Sequence, residues 1–237
     1  MSDNYKIIKR EYQGIKLKFV VNESTYKPDK FTRLMANSIN INKGNHVCDV
    51  GTGSGALTIV ASKLGAKRIV SIEIDEKTEK PFLKNCKMNT VKNVRLVKSD
   101  LLTNVKSKFD VIIANLPQIP YFKKEKPLTY GGWDGTKHLC KAIKQASSRL
   151  KKGGELYLNG ASITNKDKII KTFSKYEFKA EVIGKSKTYF TKELANKTLP
   201  LLFEHFMRLQ SEGTAKIYKD KNRLYYYFFV YKGIKGG

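Results

Sequence analysis

Along the chain, short apolar blocks alternate with stretches whose apolar residues recur three and four positions apart. The first kind of segment reads as a buried strand, the second as an amphipathic helix. On that reading Val47–Val50, Arg68–Ile74, Val94–Ser99, Phe109–Asn115 and Glu155–Asn159 are strands. Ala56–Leu64, Lys77–Asn89, Thr136–Leu150 and Lys166–Tyr176 are helices between and after them. A turn at Lys151-Lys152-Gly153-Gly154 is expected to end the third of these helices. Such alternation implies right-handed crossovers and a parallel, doubly wound α/β sheet. Ligands of such sheets bind at the carboxyl ends of the strands.

The flanks are less regular. Pro28–Asn40 reads as a helix with an early proline, preceded by paired strands or an extended arm over Tyr12–Val21. Ala180–Lys185 reads as a strand, and Lys192–Gln210 as helical, interrupted or restarted at Pro200. Ala215–Tyr218 and Arg223–Tyr231 suggest a hairpin around Lys219-Asp220-Lys221-Asn222. The rings of Leu224–Tyr231 are expected to pack in the core.

The first predicted strand runs into Asp49-Val50-Gly51-Thr52-Gly53-Ser54-Gly55-Ala56-Leu57. Strand, glycine turn and helix form the setting in which such a loop binds a nucleotide-like ligand. The third glycine comes one residue earlier than in the dinucleotide fingerprint G-x-G-x-x-G. Asp49 stands two residues before the first glycine, where a carboxylate would repel a pyrophosphate. It suits a ligand carrying an ammonium and a sulfonium, which is S-adenosylmethionine. Glu73 ends the next strand, about twenty residues on, where a carboxylate can accept both ribose hydroxyls of an adenosine. Asp100 follows the third strand and can accept from an adenine amino group, with Leu101 covering the ring. Asn115-Leu116-Pro117-Gln118 follows the fourth. Each feature alone is compatible with an ordinary turn; four in order along one sheet edge are not.

Asp110–Asn115 followed by Leu-Pro-Gln resembles the strand-four motif Asn-Pro-Pro-Tyr of the amino-methylating class I S-adenosylmethionine-dependent methyltransferases. Gly131-Gly132-Trp133-Asp134-Gly135 resembles the Gly-Gly-x-Asp-Gly stretch of the release-factor glutamine methyltransferases. Tyr26-Lys27-Pro28-Asp29 is similar to a Tyr-x-Pro segment of their short archaeal/eukaryotic-type relatives. The resemblance spans Tyr12 to Gly184. It implies a three-layer α/β/α sandwich around a Rossmann-like, seven-stranded, mostly parallel sheet with an antiparallel last strand. It also implies cofactor contacts at Tyr26, Asp49, Gly51, Thr52, Gly53, Gly55, Glu73, Asp100, Leu101 and Asn115. The acceptor site would be Asn115, Leu116, Pro117 and Gln118, with Asn115 Oδ1 and the Leu116 carbonyl taking the hydrogens of the target –NH2.

Two departures stand out. Leu116 replaces the first proline of the motif, and Gln118 replaces the aromatic residue that stacks on a flat acceptor. Tyr121 and Phe122 are candidates for the missing ring. A separate N-terminal helical substrate domain, as in the bacterial release-factor enzymes, is not expected in the short segment before the sheet.

Composition narrows the partners. The formal charge is +25, yet it comes from 39 lysines and only seven arginines. Arginine is the residue of bidentate base and phosphate contacts. A nucleic-acid substrate is therefore possible but not favoured over a protein or small-molecule amine. Apolar runs are too short to span a bilayer. Residues 1–6 lack a signal-peptide core, and Cys48, Cys86 and Cys140 show no paired spacing. These features suggest a cytoplasmic protein without membrane attachment. His46, His138 and His205 have no metal spacing, and His138 reads as a surface helix residue. Residues 1–237 are expected to form one methyltransferase domain, with 1–44 as an arm and helix and 185–213 as an insertion or lid. Phe190, Leu201, Leu202, Phe203 and Phe206 would give that insertion its apolar face. The expected reaction is methyl transfer to a nitrogen, most simply a glutamine-like protein amide. Small-molecule amines and RNA or DNA base amines are the alternatives, and a cofactor-binding partner subunit is the non-enzymatic one.

Overall fold

The structure, a computed structural model, describes residues 5–22, 26–123 and 129–236. Residues 1–4, part of the segment read for a targeting signal, lie outside them. An N-terminal hairpin, β1 (Lys6–Tyr12) and β2 (Ile15–Val21), precedes α1 (Lys30–Ser38). The central run is β3 (His46–Val50), α2 (Ala56–Lys63), β4 (Arg68–Glu73), α3 (Glu79–Met88), β5 (Val94–Lys98) and β6 (Phe109–Ala114). It continues through α4 (Lys137–Ser147), β7 (Leu150–Ala161), α5 (Lys166–Lys175) and β8 (Phe178–Phe190). The chain ends with α6 (Lys192–Thr198), α7 (Leu202–Ser211), β9 (Tyr218–Asp220) and β10 (Arg223–Lys235).

The main sheet runs β5-β4-β3-β6-β7-β10-β8, with short β9 paired to β10. β3 to β7 are parallel where they meet, and β10 is antiparallel to β7, β8 and β9. The expected seven-stranded sheet with a reversed last strand is present, extended by β9. Burial explains why the sheet is central. Val47, Cys48, Asp49 and Val50 are all buried, so β3 is covered on both sides. On one side Met35, Ile59 and Phe82 from α1, α2 and α3 pack on Val47, Ile69 and Val230. On the other, Leu139, Ile143, Ile169 and Phe173 from α4 and α5 pack on Ile112, Leu158 and Tyr231. Those two layers and the sheet make the α/β/α sandwich.

Several boundaries differ from expectation for local reasons. Lys151–Gly154 does not end a helix. Phe109 pairs with Leu150 and Val111 already with Glu155, so these residues bow out of β7 beside Gly153 at φ 73°. The expected helix over Lys77–Asn89 begins as a single 3₁₀ turn at Glu76–Thr78, and Pro81 sits in the first turn of α3, where its missing N–H costs nothing. Residues 185–190 extend β8 to Phe190, so the extra segment is reduced to α6, α7 and their links. α6 and α7 restart at Pro200, with Leu201 in the left-handed region at φ 60°. Their apolar faces join Tyr121, Ile163 and Phe190 in a third cluster beside the end of the sheet.

Candidate active site

A cavity of ≈ 700 Å³ opens at the carboxyl ends of β3, β4, β6 and β7. Eleven expected site residues line it: Tyr26, Gly51, Thr52, Gly53, Glu73, Asp100, Leu101, Asn115, Leu116, Pro117 and Gln118 from the motifs above, together with Phe31, Tyr130, Tyr226 and Phe228, whose rings add an aromatic wall.

 Asp49 and Gly55, also expected as cofactor contacts, do not reach the wall and lie beneath the loop instead. No described residue between Thr164 and Tyr225 lines the cavity, so α6 and α7 stand behind it and do not cover it.

The glycine loop is held from below and from the side. Asp49 Oδ2 accepts from Thr52 Oγ1 at 2.8 Å and from Thr58 N and Oγ1 at 3.0 and 2.7 Å. Its Oδ1 is buried with no hydrogen-bond partner. Burial pushes the Asp49 carboxyl up to about 6, against the pull of the Thr58 and Thr52 hydrogen bonds. Glu73 Oε2 accepts from Gly53 N at 2.9 Å, and Oε1 from Ile74 N and Asp75 N. Gly55 sits at φ 81°, and a Cβ there would come within 2.9 Å of the Phe82 ring. Only glycine meets both demands at that position. Asn85, fully buried on α3, donates to the carbonyls of Ser54 and Val20 and accepts from Val20 N, tying the loop to β2. Further along the edge, Asp100 pairs with Lys141 on α4, whose side chain is half-exposed.

The far end of the cavity is built differently. The Asn115 side chain makes no hydrogen bond among the described residues. Asn159, fully buried near the end of β7, accepts from Leu116 N through Oδ1 and donates to the Leu116 carbonyl through Nδ2, both at 2.8 Å. One lone pair of that carbonyl remains open. Gln118 is 9% exposed, and its Oε1 is enclosed without a partner. The glycine-rich segment 131–135 braces this loop. Ile119 N donates to Thr129 O, Gly131 N to Ile119 O and Tyr121 N to Gly132 O. A Cβ on Gly135, at φ 75°, would lie 2.5 Å from the Gln118 carbonyl oxygen. Asp134 accepts from Thr136 and pairs with Lys168; burial opposes its ionisation, but these hydrogen bonds keep its carboxyl below the ordinary range. Behind it, His205 Nε2 meets the Trp133 carbonyl at 2.8 Å, fastening α7 to the same segment.

Three expectations fail here. Tyr121 is buried and donates to the Pro200 carbonyl, and Phe122 packs on Tyr121 and His205, so neither ring enters the cavity. Tyr130 and Tyr226 reach it in their place. His138 is not a surface residue; it is half-buried on the cavity wall, and burial lowers its pKa. Not all rings of β10 are packed in the core: Tyr226 is only partly buried and lines the cavity, while Phe228 is buried as expected but also borders the cavity and stacks on Phe31 at 4.3 Å. Among the described residues no group of His, Cys, Asp and Glu forms a metal site, and no helix is long and apolar enough to cross a membrane.

Comparison with known proteins places this arrangement. The chain is 34% identical over 186 residues to the "Putative protein N5-glutamine methyltransferase" of Methanocaldococcus jannaschii, covering 76% of this chain and 93% of that protein. The chain belongs to the class I S-adenosylmethionine-dependent methyltransferases. The family model for ribosomal protein L11 methyltransferase matches residues 32–118 of this methyltransferase. The L11 methyltransferase of Lactobacillus helveticus is 30% identical over 186 residues, covering 77% of this chain and 53% of that protein. A crystal structure of the L11 methylase of Lactobacillus delbrueckii subsp. bulgaricus superposes with a TM-score of 0.53 at 21% identity, covering 85% of this chain and 78% of that one. That likeness establishes the fold.

The methyltransferase's cavity fits the cofactor of its class. The unpartnered, fully buried Asp49 Oδ1 puts negative charge behind the start of α2, which disfavours a phosphate and favours a cation. Gly51 and Gly53 take positive φ and leave the loop surface free of side chains. Sequence reading did not find Asn85 or Asn159. Asn159 is an isolated polar residue within an apolar stretch, and that is the only signal it leaves; Asn85 stands between Lys84 and Lys87 on a helix and leaves none.

Proposed function

We propose that this methyltransferase uses S-adenosylmethionine to methylate the nitrogen of a protein side-chain amide, glutamine-like in shape. The observation that carries the reading is the free Asn115 amide beside the Asn159-clamped Leu116 carbonyl, with two oxygen acceptors on one short turn. The M. jannaschii relative, named for glutamine N5 methylation, supports it.

Tyr26, Gly51, Thr52, Gly53, Glu73, Asp100, Leu101 and Asn115 would hold the cofactor, with Asp49 and Gly55 shaping the loop from beneath. When bound, the cofactor supplies an electrophilic methyl group on a sulfonium. An amide nitrogen is a poor nucleophile because its lone pair is delocalised. Asn115 Oδ1 and the Leu116 carbonyl each accept one N–H of the target, which turns the nitrogen lone pair away from the amide plane. Positioning and charge complementarity then carry the rate. With the cofactor bound, this nitrogen would form the new N–C bond as the cofactor's C–S bond broke; Asn115 Oδ1 would hold the surplus N–H by its hydrogen bond until the cationic nitrogen loses that proton to solvent. Pro117 stiffens the turn. Gln118 offers an amide where related motifs offer a ring. The whole chain acts as one domain, with 1–44 as its arm and α6–α7 as a buttress behind the acceptor loop, and it works in the cytoplasm.

Labelling an extract with the methyl-tritiated cofactor, and sorting product into protein, nucleic acid and small molecules, tests this. Label in acid-stable protein that yields N-methylglutamine on digestion is the expected result. Label confined to nucleic acid or small amines would overturn the substrate, and absence of cofactor binding by calorimetry would overturn the reading altogether.

A further inference from the structure

β10 has two faces with different company. Its even-numbered residues Tyr226 and Phe228 line the cavity. Its odd-numbered residues turn to the opposite side of the sheet. There Phe173 of α5 packs on Tyr231. Beyond Phe229, toward the β9–β10 turn, the side chains form a surface of their own. Tyr225 pairs across the sheet with Tyr189 of β8 and Tyr218 of β9, and Tyr227 with Lys187. Tyr218 stacks on Tyr225 at 5.3 Å and meets Tyr227 edge-on at 5.1 Å; Tyr189 lies 5.6 Å from Tyr225. Cations alternate with the rings. Lys185 Nζ lies 3.6 Å from the Tyr227 centroid, Lys187 Nζ 4.6 Å from Tyr225, Lys166 Nζ 5.5 Å from Phe229, and the Arg223 guanidinium 4.2 Å from Tyr189. Tyr189 is 36% exposed, and the Lys187 side chain 43%. The carboxylate that meets this group is Asp220, which accepts from Tyr189 OH and pairs with Lys187.

We propose that this outer face of β8, β9 and β10 binds single-stranded RNA. Charge complementarity argues for a polyanion: four cations border the rings against one carboxylate, in a chain of formal charge +25. The rings argue for bases, because aromatic side chains between cations can stack on unpaired bases whatever their sequence. A duplex hides its bases and cannot use them. Asp220 argues for ribose, since a carboxylate among tyrosine hydroxyls can accept from a 2′-hydroxyl that DNA lacks. On binding, Lys185 and Lys187 leave the ring faces for phosphates and the bases take their place. The surface lies across the sheet from the cavity, so the proposal does not depend on which acceptor is methylated.

Fluorescence-anisotropy titration of the full chain with a labelled mixed-sequence single-stranded RNA tests it. The matched DNA, the matched RNA duplex, heparin and polyglutamate serve as rivals. The RNA should bind most tightly. Tyr227→Leu should weaken it about tenfold, Tyr227→Phe should not, and Lys185→Glu with Lys187→Glu should lower the salt slope by about two. Unchanged cofactor affinity in each variant shows that it is folded. Equal binding of heparin or polyglutamate together with indifference to Tyr227→Leu would overturn the stacking face. Equal or tighter binding of DNA or duplex would overturn the assignment to single-stranded RNA.

Discussion

At the glycine-loop end of the cavity the carboxylates are already engaged by the protein through all but one buried oxygen, Asp49 Oδ1, whereas at the end of β6 two side-chain amides stand without partners among the described residues. Asp49 and Glu73 each accept three hydrogen bonds from the loop and its neighbours, and Asp100 is paired with Lys141. Among the described residues the Asn115 side chain has no hydrogen-bond partner, and Gln118 Oε1 is enclosed without one. A prebuilt end recognises one ligand that every relative of the class shares. An end with unpaired groups has its geometry ready but its hydrogen bonds unspent, and an unpaired buried acceptor destabilises the empty protein by about 1–3 kcal/mol. The contrast teaches which end is common to the class and which is particular to this chain.

Four measurements would break or sharpen that contrast. Asn115→Ala should lower turnover by about a hundredfold, the scale of losing one positioned polar group, while cofactor affinity by calorimetry falls far less, because the other cofactor contacts remain. A matching loss of affinity would move Asn115 to the other end of the cavity. Glu73→Ala should act in reverse, weakening cofactor binding about tenfold or more through the loss of charged hydrogen bonds. The turnover of the saturated variant should stay close to normal.

The third measurement is pH dependence. Asp49 has its carboxyl raised from 3.8 to about 6 by burial. The folded state therefore holds a proton more tightly than the unfolded one. This contribution to stability is full below pH 3.8 and is lost as pH rises through 6, which denaturant midpoints of the ligand-free protein will show. A cationic ligand needs the carboxylate, so its affinity should fall about tenfold per unit as pH drops below 6. Asp49→Asn should flatten both profiles. The smallest effect is expected for Gln118→Leu. Removing an unpartnered amide should leave stability equal or raise it by about 1 kcal/mol, while turnover falls severalfold. A less stable and fully active variant would show that Gln118 is structural.

The sheet and the loop were legible because they depend on local signals. Apolar blocks mark β3 and β6, and glycines mark the turn between β3 and α2. Carboxylates at successive strand ends mark one edge. The brace between the glycine-rich segment 131–135 and the Gln118 backbone was half legible: the motif was visible, but the close approach that requires Gly135 appears only when the two loops are side by side. Asn159 was illegible, since its function is a pair of hydrogen bonds to a residue 43 positions away. Tyr121 and Phe122 misled because nearness in sequence to Gln118 does not set direction. The turn after Pro117 points both rings toward α7. The turn read at Lys151–Gly154 has the right composition, but the strand resumes its pairing beyond it.

The alternation along β10 has a genetic corollary. Tyr225 and Tyr227 face outward while Tyr226 and Phe228 face the cavity, and the pairing of Phe228 with Ala161 anchors the strand from there on. Loss of a single codon between Arg223 and Tyr227 would keep the reading frame, the charge balance of the hairpin and most of its rings. It would nonetheless exchange the two faces over that stretch, because a one-residue slip reverses every side chain. An in-frame deletion of this kind would disturb both surfaces at once without changing the type of any remaining side chain.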